Sequence, residues 1–385
     1  MAAPTAPLSE ILQLAVDPCP VEPEASYPIM GIYGFARGPI ARQAVRGADI
    51  SATTLYRVKK NQLVYSRLKA FEGAYTVVPP ELDGYFTSNE FPTFDVDPER
   101  ADHRYLEWLF RRPEVWREIA IGSKGIGARR ERVHPKQVLG YRIALPTLDE
   151  QRRIVRHLDG VAALVDERRS AIEVAERETQ ALLLKAFQRA IDGAPLRPMS
   201  EVAPLVRREV EIEANKEYTE IGIRSFYNGI FHRRTMPGSE FSWQSLFWVK
   251  NGDLVFSNLM AWEKAIAVAS EHDHGTVGNH RMLTCEVNPG LATPGFLMAY
   301  FRTFEGFSSV VGHSPGTIAR NKTLSSKKLP TIVVPTPSLA AQRWYDNIEA
   351  KAREVRVIRA STAQDVEGLL PAMLHENFVR RAKAA

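Results

Sequence analysis

The sequence has little cysteine and no long apolar segment. Its 385 residues include two cysteines, Cys19 and Cys285, which are too few for a disulfide framework or a cysteine-based metal site. We expect both to be packing residues. No apolar run reaches the roughly 18 residues typical of a membrane-spanning helix, and the first residues lack the basic and apolar regions of a signal peptide. These absences predict a cytoplasmic protein.

The composition is that of a folded protein with a mild excess of positive charge. Hydrophobic residues make up 44% of the chain and charged residues 25%, which is typical of globular domains rather than disordered ones. The chain is long enough for two domains with proper cores. A formal net charge of +5 is compatible with a polyanionic partner but does not require one.

The dominant feature of the sequence is an internal repeat. Ser9-Glu10 recurs as Ser200-Glu201, an offset of 191 residues, and no gap is needed to extend the match in either direction. Residues 63–97 align with 254–288 at the same offset. Eleven of these thirty-five positions are identical, where average residue usage would give about two. The chain is therefore a tandem duplication, and each copy should fold as one unit.

Within a copy, short apolar runs bounded by Gly, Pro and Asn predict the strands of a sheet-rich domain. A short helix, a Gly-rich basic loop and a final strand follow. The predicted strands are 63–65, 74–78 and 141–145 in the first copy, and 254–256, 265–269 and 331–334 in the second; the short helices are 105–110 and 296–301, and the basic loops are 123–130 and 314–322.

Each copy then ends in a long helix. Thr147 and Glu150 have the spacing of a capping box at the start of the first helix. In the second copy Ser338 can cap the helix, but Ala341 stands where the glutamate would be, so only the serine half of the box is present. The 4-3 spacing of apolar residues predicts helices of about 35 residues, or roughly 50 Å. The expected seams are Ile154, Leu158, Val161, Val165, Ile172, Ala175, Thr179 and Leu182, then Ile348, Ala352, Val355, Thr362, Val366, Leu369 and Met373.

Two packing arrangements are open to these helices. They can pack on each other as an antiparallel coiled coil, or each can pack on its own domain, and the matching seams favour the first. The fold class is then α+β, with two tandem sheet-rich domains and a pseudo-two-fold internal repeat. The expected division is into a first domain at 1–146, a helix at 147–192, a second domain at 193–337 and a second helix at 338–385.

The order of these features resembles the DNA specificity subunit of type I restriction-modification systems. Members of that family have a target-recognition domain, a Pro-Leu-Pro-Pro-Leu-x-Glu-Gln-like turn and a long helix, all repeated once. Here the turn reads LeuProThrLeuAspGluGln at 145–151 and ProThrProSerLeuAlaAlaGln at 335–342. The resemblance extends from about Leu8 to Phe378. The second copy departs from the pattern because it lacks the glutamate before Gln342.

The resemblance implies a non-catalytic subunit in a prokaryotic cytoplasm. Each domain would read one half of a split site in double-stranded DNA, and the helix pair would set the spacer between the halves. It would dock two methyltransferase subunits, to which restriction and translocase subunits are added. S-adenosylmethionine and ATP would be bound by those partners, and this chain would hold no cofactor. Because the two copies differ where they should contact bases, the expected site is asymmetric.

Candidate DNA-contacting residues follow from chemistry. Exposed Lys and Arg contact phosphates, and Arg, Asn, Gln, Ser and Thr read base edges, although any one of them can equally be only solvated. In the first copy the candidates are Arg67, Lys69, Lys124, Arg129, Arg130 and Arg132. In the second they are Arg224, Asn228, Arg233, Arg234, Asn279, His280, Arg281, Ser314, Thr317, Arg320, Asn321 and Lys322. Tyr33 and Arg37 are further candidates near the repeated glycines.

Other short motifs do not support catalysis. His272-Asp273-His274 is a lone H-x-H in a polar turn, more typical of solvated side chains than of a metal site. The glycine-rich segment 122–127 lacks the Gly-Lys-Ser/Thr of a phosphate-binding loop. Two alternatives to the type I subunit remain: a specificity component of another DNA-modification or phage-defence complex, and a coiled-coil scaffold that binds proteins only.

Overall fold

Residues 4–121, 132–241, 245–315 and 322–380 are described by a computed structural model. The chain divides into two units. Unit 1 comprises Met1–Ile172 together with Ala360–Ala385, and unit 2 comprises Glu173–Arg359. Each unit joins one sheet-rich domain to part of both long helices.

Unit 1 is built mainly from short antiparallel strands followed by helices. Its strands are β1 (Thr5–Pro7), β2 (Leu12–Ala15), β3 (Pro18–Pro20), β4 (Ser26–Tyr27), β5 (Met30–Ile32), β6 (Pro39–Ala41), β7 (Val45–Arg46), β8 (Thr54–Arg57), β9 (Leu63–Tyr65), β10 (Tyr75–Val77), β11 (Phe86–Thr87), β12 (Thr93–Val96) and β13 (Arg142–Ala144). Its helices are α1 (His103–Leu109), α2 (Pro113–Ala120), α3 (Pro135–Gly140) and the first part of α4 (Leu148–Ile191).

Unit 2 has the same plan. Its strands are β14 (Leu196–Pro198), β15 (Leu205–Val206), β16 (Glu217–Ile223), β17 (Ile230–Pro237), β18 (Leu246–Trp248), β19 (Leu254–Ser257), β20 (Ile266–Val268), β21 (Val277–Asn279), β22 (Met282–Cys285) and β23 (Val333–Pro335). Its helices are α5 (Met199–Val202), α6 (Pro294–Arg302), α7 (Phe304–Gly312) and the first part of α8 (Leu339–His375), which continues as a π-helical turn, Glu376–Arg380.

The sheets confirm the internal repeat. Unit 1 has a sheet of order β10-β9-β12-β2, and unit 2 has its counterpart, β20-β19-β22-β15. Leu63 pairs with Phe94 in the first sheet and Leu254 with Cys285 in the second, so the register is also repeated at 191 residues. The second sheet differs between the copies, since β17-β16-β21-β18 is one sheet whereas its counterparts in unit 1 form shorter pairings. The α+β class is confirmed, and so are the predicted strands, except that the last one begins at Val333 rather than at Thr331.

Both long helices are present, and both exceed the expected length. Helix α4 has 44 residues and α8 has 37, or about 66 and 56 Å at 1.5 Å per residue. The extra turns of α4 have a physical cause, because Ala186, Phe187 and Ala190 are buried in the core of unit 2.

In unit 2 the two helices pack antiparallel. Phe187 lies against Tyr345, with 5.3 Å between ring centroids. Earlier in α4, Glu176 accepts hydrogen bonds from Arg356 of α8, with 3.0 Å between Oε1 and Nε. This hydrogen bond lowers the pKa of Glu176, although burial opposes the shift. Because higher numbers in α4 meet lower numbers in α8, the predicted antiparallel coiled coil is confirmed.

The same contacts recur in unit 1 with the helices exchanged. Leu158 of α4 shares a core with Leu374 and Phe378 of the second copy's C-terminal helix. Phe378 packs on Tyr105 at 5.0 Å in unit 1, and its repeat partner Phe187 packs on Phe296 at 5.1 Å in unit 2. Each domain therefore contacts the start of its own helix and the end of the other copy's helix.

The predicted seam is wrong at three positions. Leu182, Val355 and Leu369 are 57%, 40% and 43% exposed. Their neighbours Leu183, Arg356 and Leu370 turn inward instead and are partly buried. In α8 the inward residues keep a 4-3 spacing but in a register one residue from the predicted one: Ala352, Arg356, Arg359, Ala363, Val366, Leu370 and Met373. A count of apolar residues passes over Arg356 and Arg359, which face α4 because they bond to Glu176 and to the Ala175 carbonyl.

A buried glutamine joins each long helix to its domain. Gln151 Nε2 donates to the carbonyls of Arg100 and Pro146, and its Oε1 accepts from the Asp102 amide. Gln342 makes the same three bonds, to Leu291, Pro337 and Thr293, at 2.8–2.9 Å. Both glutamines are fully buried. In the second copy Ser338 also caps the helix by accepting from the Ala341 amide.

Loss of the Gln342 side chain should destabilise unit 2. Gln342→Ala leaves one amide and two carbonyls without a partner in a dry site, and we expect a loss of about 2–4 kcal/mol. Urea unfolding measures it, with Gln188→Ala, an exposed glutamine on α4, as the matched control. Gln151→Ala should have an equal effect in unit 1. A loss no larger than that of the control would show that the glutamine bonds contribute little.

Candidate nucleic-acid interface

A tight turn after the central strand of each domain positions one polar side chain at the same place in both copies. In unit 1 the Arg67 amide donates to the Glu90 carbonyl at 2.9 Å, and the Val133 amide donates to the Arg67 carbonyl. In unit 2 Asn258 makes both of these backbone bonds, to Arg281 and from Leu324, each at 2.8 Å. Arg67 and Asn258 therefore occupy equivalent positions on one backbone framework.

The side chains around Arg67 form a basic cluster with one acid. Arg67 Nη2 lies 3.4 Å from His134 Nδ1, and Arg132 is ion-paired with Glu90 at 3.1 Å. Beneath them Tyr65 donates to the Val133 carbonyl, and burial raises the pKa of this tyrosine above its usual range. The phenol therefore stays a hydrogen-bond donor and holds the chain beside Arg132.

The equivalent positions in unit 2 have different chemistry. Asn258 replaces Arg67, Arg281 replaces Glu90, and Thr323 and Ser325 replace Arg132 and His134. The backbone is kept, while an acidic residue is replaced by a basic one and an arginine and a histidine are replaced by hydroxyl-bearing residues. Two unlike surfaces thus stand on one framework.

Both framework positions also carry an unsatisfied polar atom. Arg67 Nε and Asn258 Oδ1 are buried and have no hydrogen-bond partner within the residues that the structure describes. A buried polar atom without a partner costs about 1–3 kcal/mol, so a ligand that completes its hydrogen bonding would be favoured. Sequence reasoning selected Arg67 but missed Asn258, although the offset of 191 residues pointed to it.

A second cluster in unit 2 is organised by a buried carboxylate. Glu220 on β16 is 1% exposed, and Arg234 donates to it at 2.9 Å. Asn279 Nδ2 donates to it at 2.9 Å, and Arg233 lies at 3.7 Å. The pairing of β16 with β17 is irregular between Glu220 and Ile221. One acid thus holds three of the predicted DNA-contacting residues together, with the arginine side chains partly exposed.

Unit 1 has no equivalent of this cluster at the matching positions. Ile29 replaces Glu220, and Gln43 and Ser88 replace Arg234 and Asn279; only Arg42 keeps the charge of Arg233. The parallel bridge at this point is nevertheless retained, between Ile29 and Phe86 in unit 1 and between Glu220 and Val277 in unit 2. The difference again lies in the side chains.

A third pair of matched segments, 33–38 and 224–229, is hydrogen-bonded to the chain a few residues after these turns, at 72–73 and 263–264. In unit 1 the guanidinium of Arg37 lies 5.0 Å from the Tyr33 ring centre. In unit 2 Arg224 lies over Phe231 at 4.9 Å and donates to the Ile230 carbonyl. Asn228 Nδ2 donates to the Ser225 carbonyl at 2.9 Å.

The remaining predicted contacts are placed as follows. Lys69 and His280 are exposed, and Lys322 is partly buried. Ser314 is buried, and its hydroxyl donates to the Val310 carbonyl within α7. This hydroxyl is therefore already used inside the domain. Six predicted residues lie outside the described residues: Lys124, Arg129, Arg130, Thr317, Arg320 and Asn321.

The His272-Asp273-His274 motif has a structural use. Asp273 accepts from the Ser270 amide and hydroxyl, and it lies 3.2 Å from His232 Nε2. Burial opposes ionisation, but these hydrogen bonds outweigh it and lower the pKa of Asp273. Across residues 4–121, 132–241, 245–315 and 322–380, no group of three or more His, Cys, Asp or Glu could hold a metal ion.

Both cysteines are free. Cys285 is buried in the core of unit 2, where burial raises the pKa of its thiol to about 12, and Cys19 is partly exposed.

Among the residues that the structure covers, no helix is both long enough and apolar enough to span a membrane.

Three solved structures share this fold over nearly the whole chain. The HsdS subunit from Thermoanaerobacter tengcongensis matches with a TM-score of 0.64 at 18% identity, covering 97% of this chain and 96% of that one. A chain from a structure on complex assembly and conformational transition of the type I R-M system matches with a TM-score of 0.71, also at 18% identity, covering 98% and 97%. The S subunit from M. genitalium gives 0.50 at 12% identity, covering 97% and 96%.

These similarities establish the fold, because they extend over both domains and both helices. The chain has the fold of type I restriction-modification specificity subunits, as the order of its sequence motifs predicted. No protein-family model matches the sequence, and no protein of curated function matches it.

Removal of the Glu220 carboxylate should loosen the cluster that it organises. Glu220→Ala leaves Arg233, Arg234 and Asn279 without a shared acceptor. We expect a stability loss of about 1–3 kcal/mol, limited because both arginines can hydrate. Urea unfolding measures it against Glu240→Ala, an exposed acid in the same unit. Glu220→Gln, which keeps an acceptor, should lie between the two. Equal stability of the Glu220→Ala and Glu240→Ala variants would contradict an organising role.

Proposed function

We propose that this chain is a sequence-specific DNA-binding subunit that reads a bipartite, asymmetric site in double-stranded DNA. It directs the methyltransferase and restriction subunits of a type I restriction-modification complex to that site. The chain itself is non-catalytic in this proposal, so methyl transfer, DNA cleavage and their cofactors belong to the partner subunits.

The observation that carries the proposal is one backbone framework with two sets of side chains. Arg67 and Asn258 occupy equivalent positions, and each has a buried polar atom without a partner in the described chain. Arginine pairs bidentately with guanine, and asparagine pairs with adenine, in the major groove. A duplicated reader with these two side chains fits a site whose halves differ in sequence.

The charge around these positions supports a polyanionic ligand. Arg67 and Lys69 lie on one turn of unit 1, and Arg132, which pairs with Glu90, lies beside it because the Val133 amide donates to the Arg67 carbonyl. In unit 2 Arg281 lies two residues after Asn279. The Arg281 amide donates to Asn279 Oδ1, and Asn279 Nδ2 donates to Glu220. Phosphate contacts from such residues set the register, while the polar side chains between them read base edges.

The helices support the partner assignment. The contacts of Phe187 and Phe378 are repeated almost unchanged in the two units, whereas the surfaces around Arg67 and Asn258 are not. Matching helical segments offer equivalent docking surfaces to two copies of one partner, for which methyltransferase subunits are the proposed occupants. The same helices would set the spacer between the two half-sites.

A binding-selection experiment tests the reading role. The full chain is incubated with a pool of random 40-base-pair duplexes, with methyltransferase subunits present, and bound DNA is sequenced. We expect two conserved half-sites. Arg67→Ala should relax one position in one half-site and Asn258→Ala one position in the other, each by about 1–3 kcal/mol. Affinity should fall steeply with salt because phosphate contacts release counterions.

Arg46→Ala is the matched control, since Arg46 is an exposed arginine of unit 1 that pairs with Glu24. It should change neither half-site. Recovery of no common sequence, together with weak dependence on salt, would refute DNA reading and leave a protein-binding scaffold as the better account.

A further inference from the structure

Each domain presents a phenylalanine to solvent in a conformation that phenylalanine rarely adopts. Phe35 and Phe226 occupy equivalent positions, and they are 66% and 68% exposed. Their φ angles are 58° and 59°, and the next residues, Ala36 and Tyr227, have φ of 52° and 59°. Two consecutive left-handed residues without glycine are strained, because the side chain of an L-residue crowds the backbone at positive φ. Such strain persists only where the surroundings enforce it.

The surroundings enforce it in the same way in both copies. The Phe35 and Ala36 amides donate to the Glu72 and Gly73 carbonyls. In unit 2 the Phe226 and Tyr227 amides donate to the Glu263 and Lys264 carbonyls, both at 2.9 Å. The turn is closed by the amides of Tyr33 and Arg224, which donate to the Gly38 and Gly229 carbonyls at 3.0 Å. The phenyl ring is thus carried outward on a rigid turn.

Around this constant ring the neighbouring side chains vary. Residues 33 and 37 are Tyr and Arg in unit 1, whereas the equivalent residues 224 and 228 are Arg and Asn in unit 2. A cationic side chain lies at this turn in both copies. Arg37 lies over the Tyr33 ring in unit 1, and in unit 2 Lys264 Nζ lies 5.9 Å from the centre of the Tyr227 ring. Two copies of one protein partner would require matching surfaces, and these do not match.

Double-stranded DNA as the ligand explains both why the phenylalanine is the same in the two copies and why its neighbouring side chains differ. Every base step offers an aromatic face, so a contact by stacking tolerates any sequence, and cations beside the ring suit the flanking phosphates. Phenylalanine is one of the apolar side chains that enter base steps as wedges. The variable neighbours at the ends of the turn can then read the bases on either side.

We propose that Phe35 and Phe226 are wedges that insert into the base stack, one in each half-site. This inference rests on the proposed DNA-reading function and adds to it a sequence-independent contact that unstacks one base step per half-site. A rigid left-handed turn suits this role because insertion then requires no further ordering of the loop.

Base unstacking can be observed directly. The duplex recovered by binding selection is prepared as a series, each member carrying one 2-aminopurine, whose fluorescence rises when its neighbours unstack. The full chain should raise the fluorescence at one step in each half-site. Phe35→Ala should abolish the rise in one half-site and Phe226→Ala in the other, each lowering affinity by about tenfold without changing its salt dependence.

Two control variants distinguish loss of the wedge contact from loss of folding. Phe304→Ala removes a phenylalanine of unit 2 that is 82% exposed and should alter neither fluorescence nor affinity. Phe226→Trp keeps a stacking ring and should retain the fluorescence rise. The melting temperature of Phe226→Ala should equal that of Phe304→Ala.

The outcomes separate this inference from the function on which it rests. If the wild-type chain selects a sequence but raises no 2-aminopurine signal, or if Phe226→Ala behaves as wild type, the wedge is refuted and DNA reading stands. If Phe226→Ala instead loses only methyltransferase binding, the ring is a protein contact and the wedge is wrong. If the wild-type chain selects no sequence, both proposals fail together.

Discussion

The attachment of each long helix to its domain depends on one buried glutamine. Gln151 and Gln342 each satisfy two carbonyls and one amide in a site without water access, and the three bonds recur at equivalent residues. A buried polar group is costly unless it is fully hydrogen-bonded. The helix can therefore begin at only one place and in one orientation on its domain, and both domains use that same place.

The rest of the architecture follows from that attachment. Within each unit the end of the other copy's helix adds an aromatic contact: Phe187 packs on Phe296 in unit 2, and Phe378 packs on Tyr105 in unit 1. The backbone arrangement of the two copies is therefore the same even in these single aromatic contacts. The second sheet differs in its strand pairing, but at the turn after the central strand the copies differ in side chains alone, as with Arg67 and Asn258. Matching helix attachments suit two copies of one protein partner. Side chains that differ between the copies suit the two unlike halves of the proposed DNA site.

Sequence reasoning succeeded where the signal was local or repeated. The duplication, the short strands, the Ser338 cap and the order of motifs were visible because they depend on residue identity at fixed spacing. The seam of α8 was misplaced at Val355 and Leu369, because a count of apolar residues passes over Arg356 and Arg359, which face α4 through polar contacts. The role of Glu220 was not visible, since β17 and β21 bring its partners together from distant positions. Ser314 was chosen for its chemistry, but its burial depends on the fold of α7.

The central claim is that one framework carries two interchangeable readers. The most direct test replaces residues 8–145 with a second copy of residues 199–336, which keeps Gln151, Gln342 and both long helices. The modified sites are then mapped in cells that also express the methyltransferase subunit. The account predicts a site whose two halves are inverted copies of the half-site read by unit 2. A site that stays asymmetric, or one in which the unit 2 half-site changes, would contradict it.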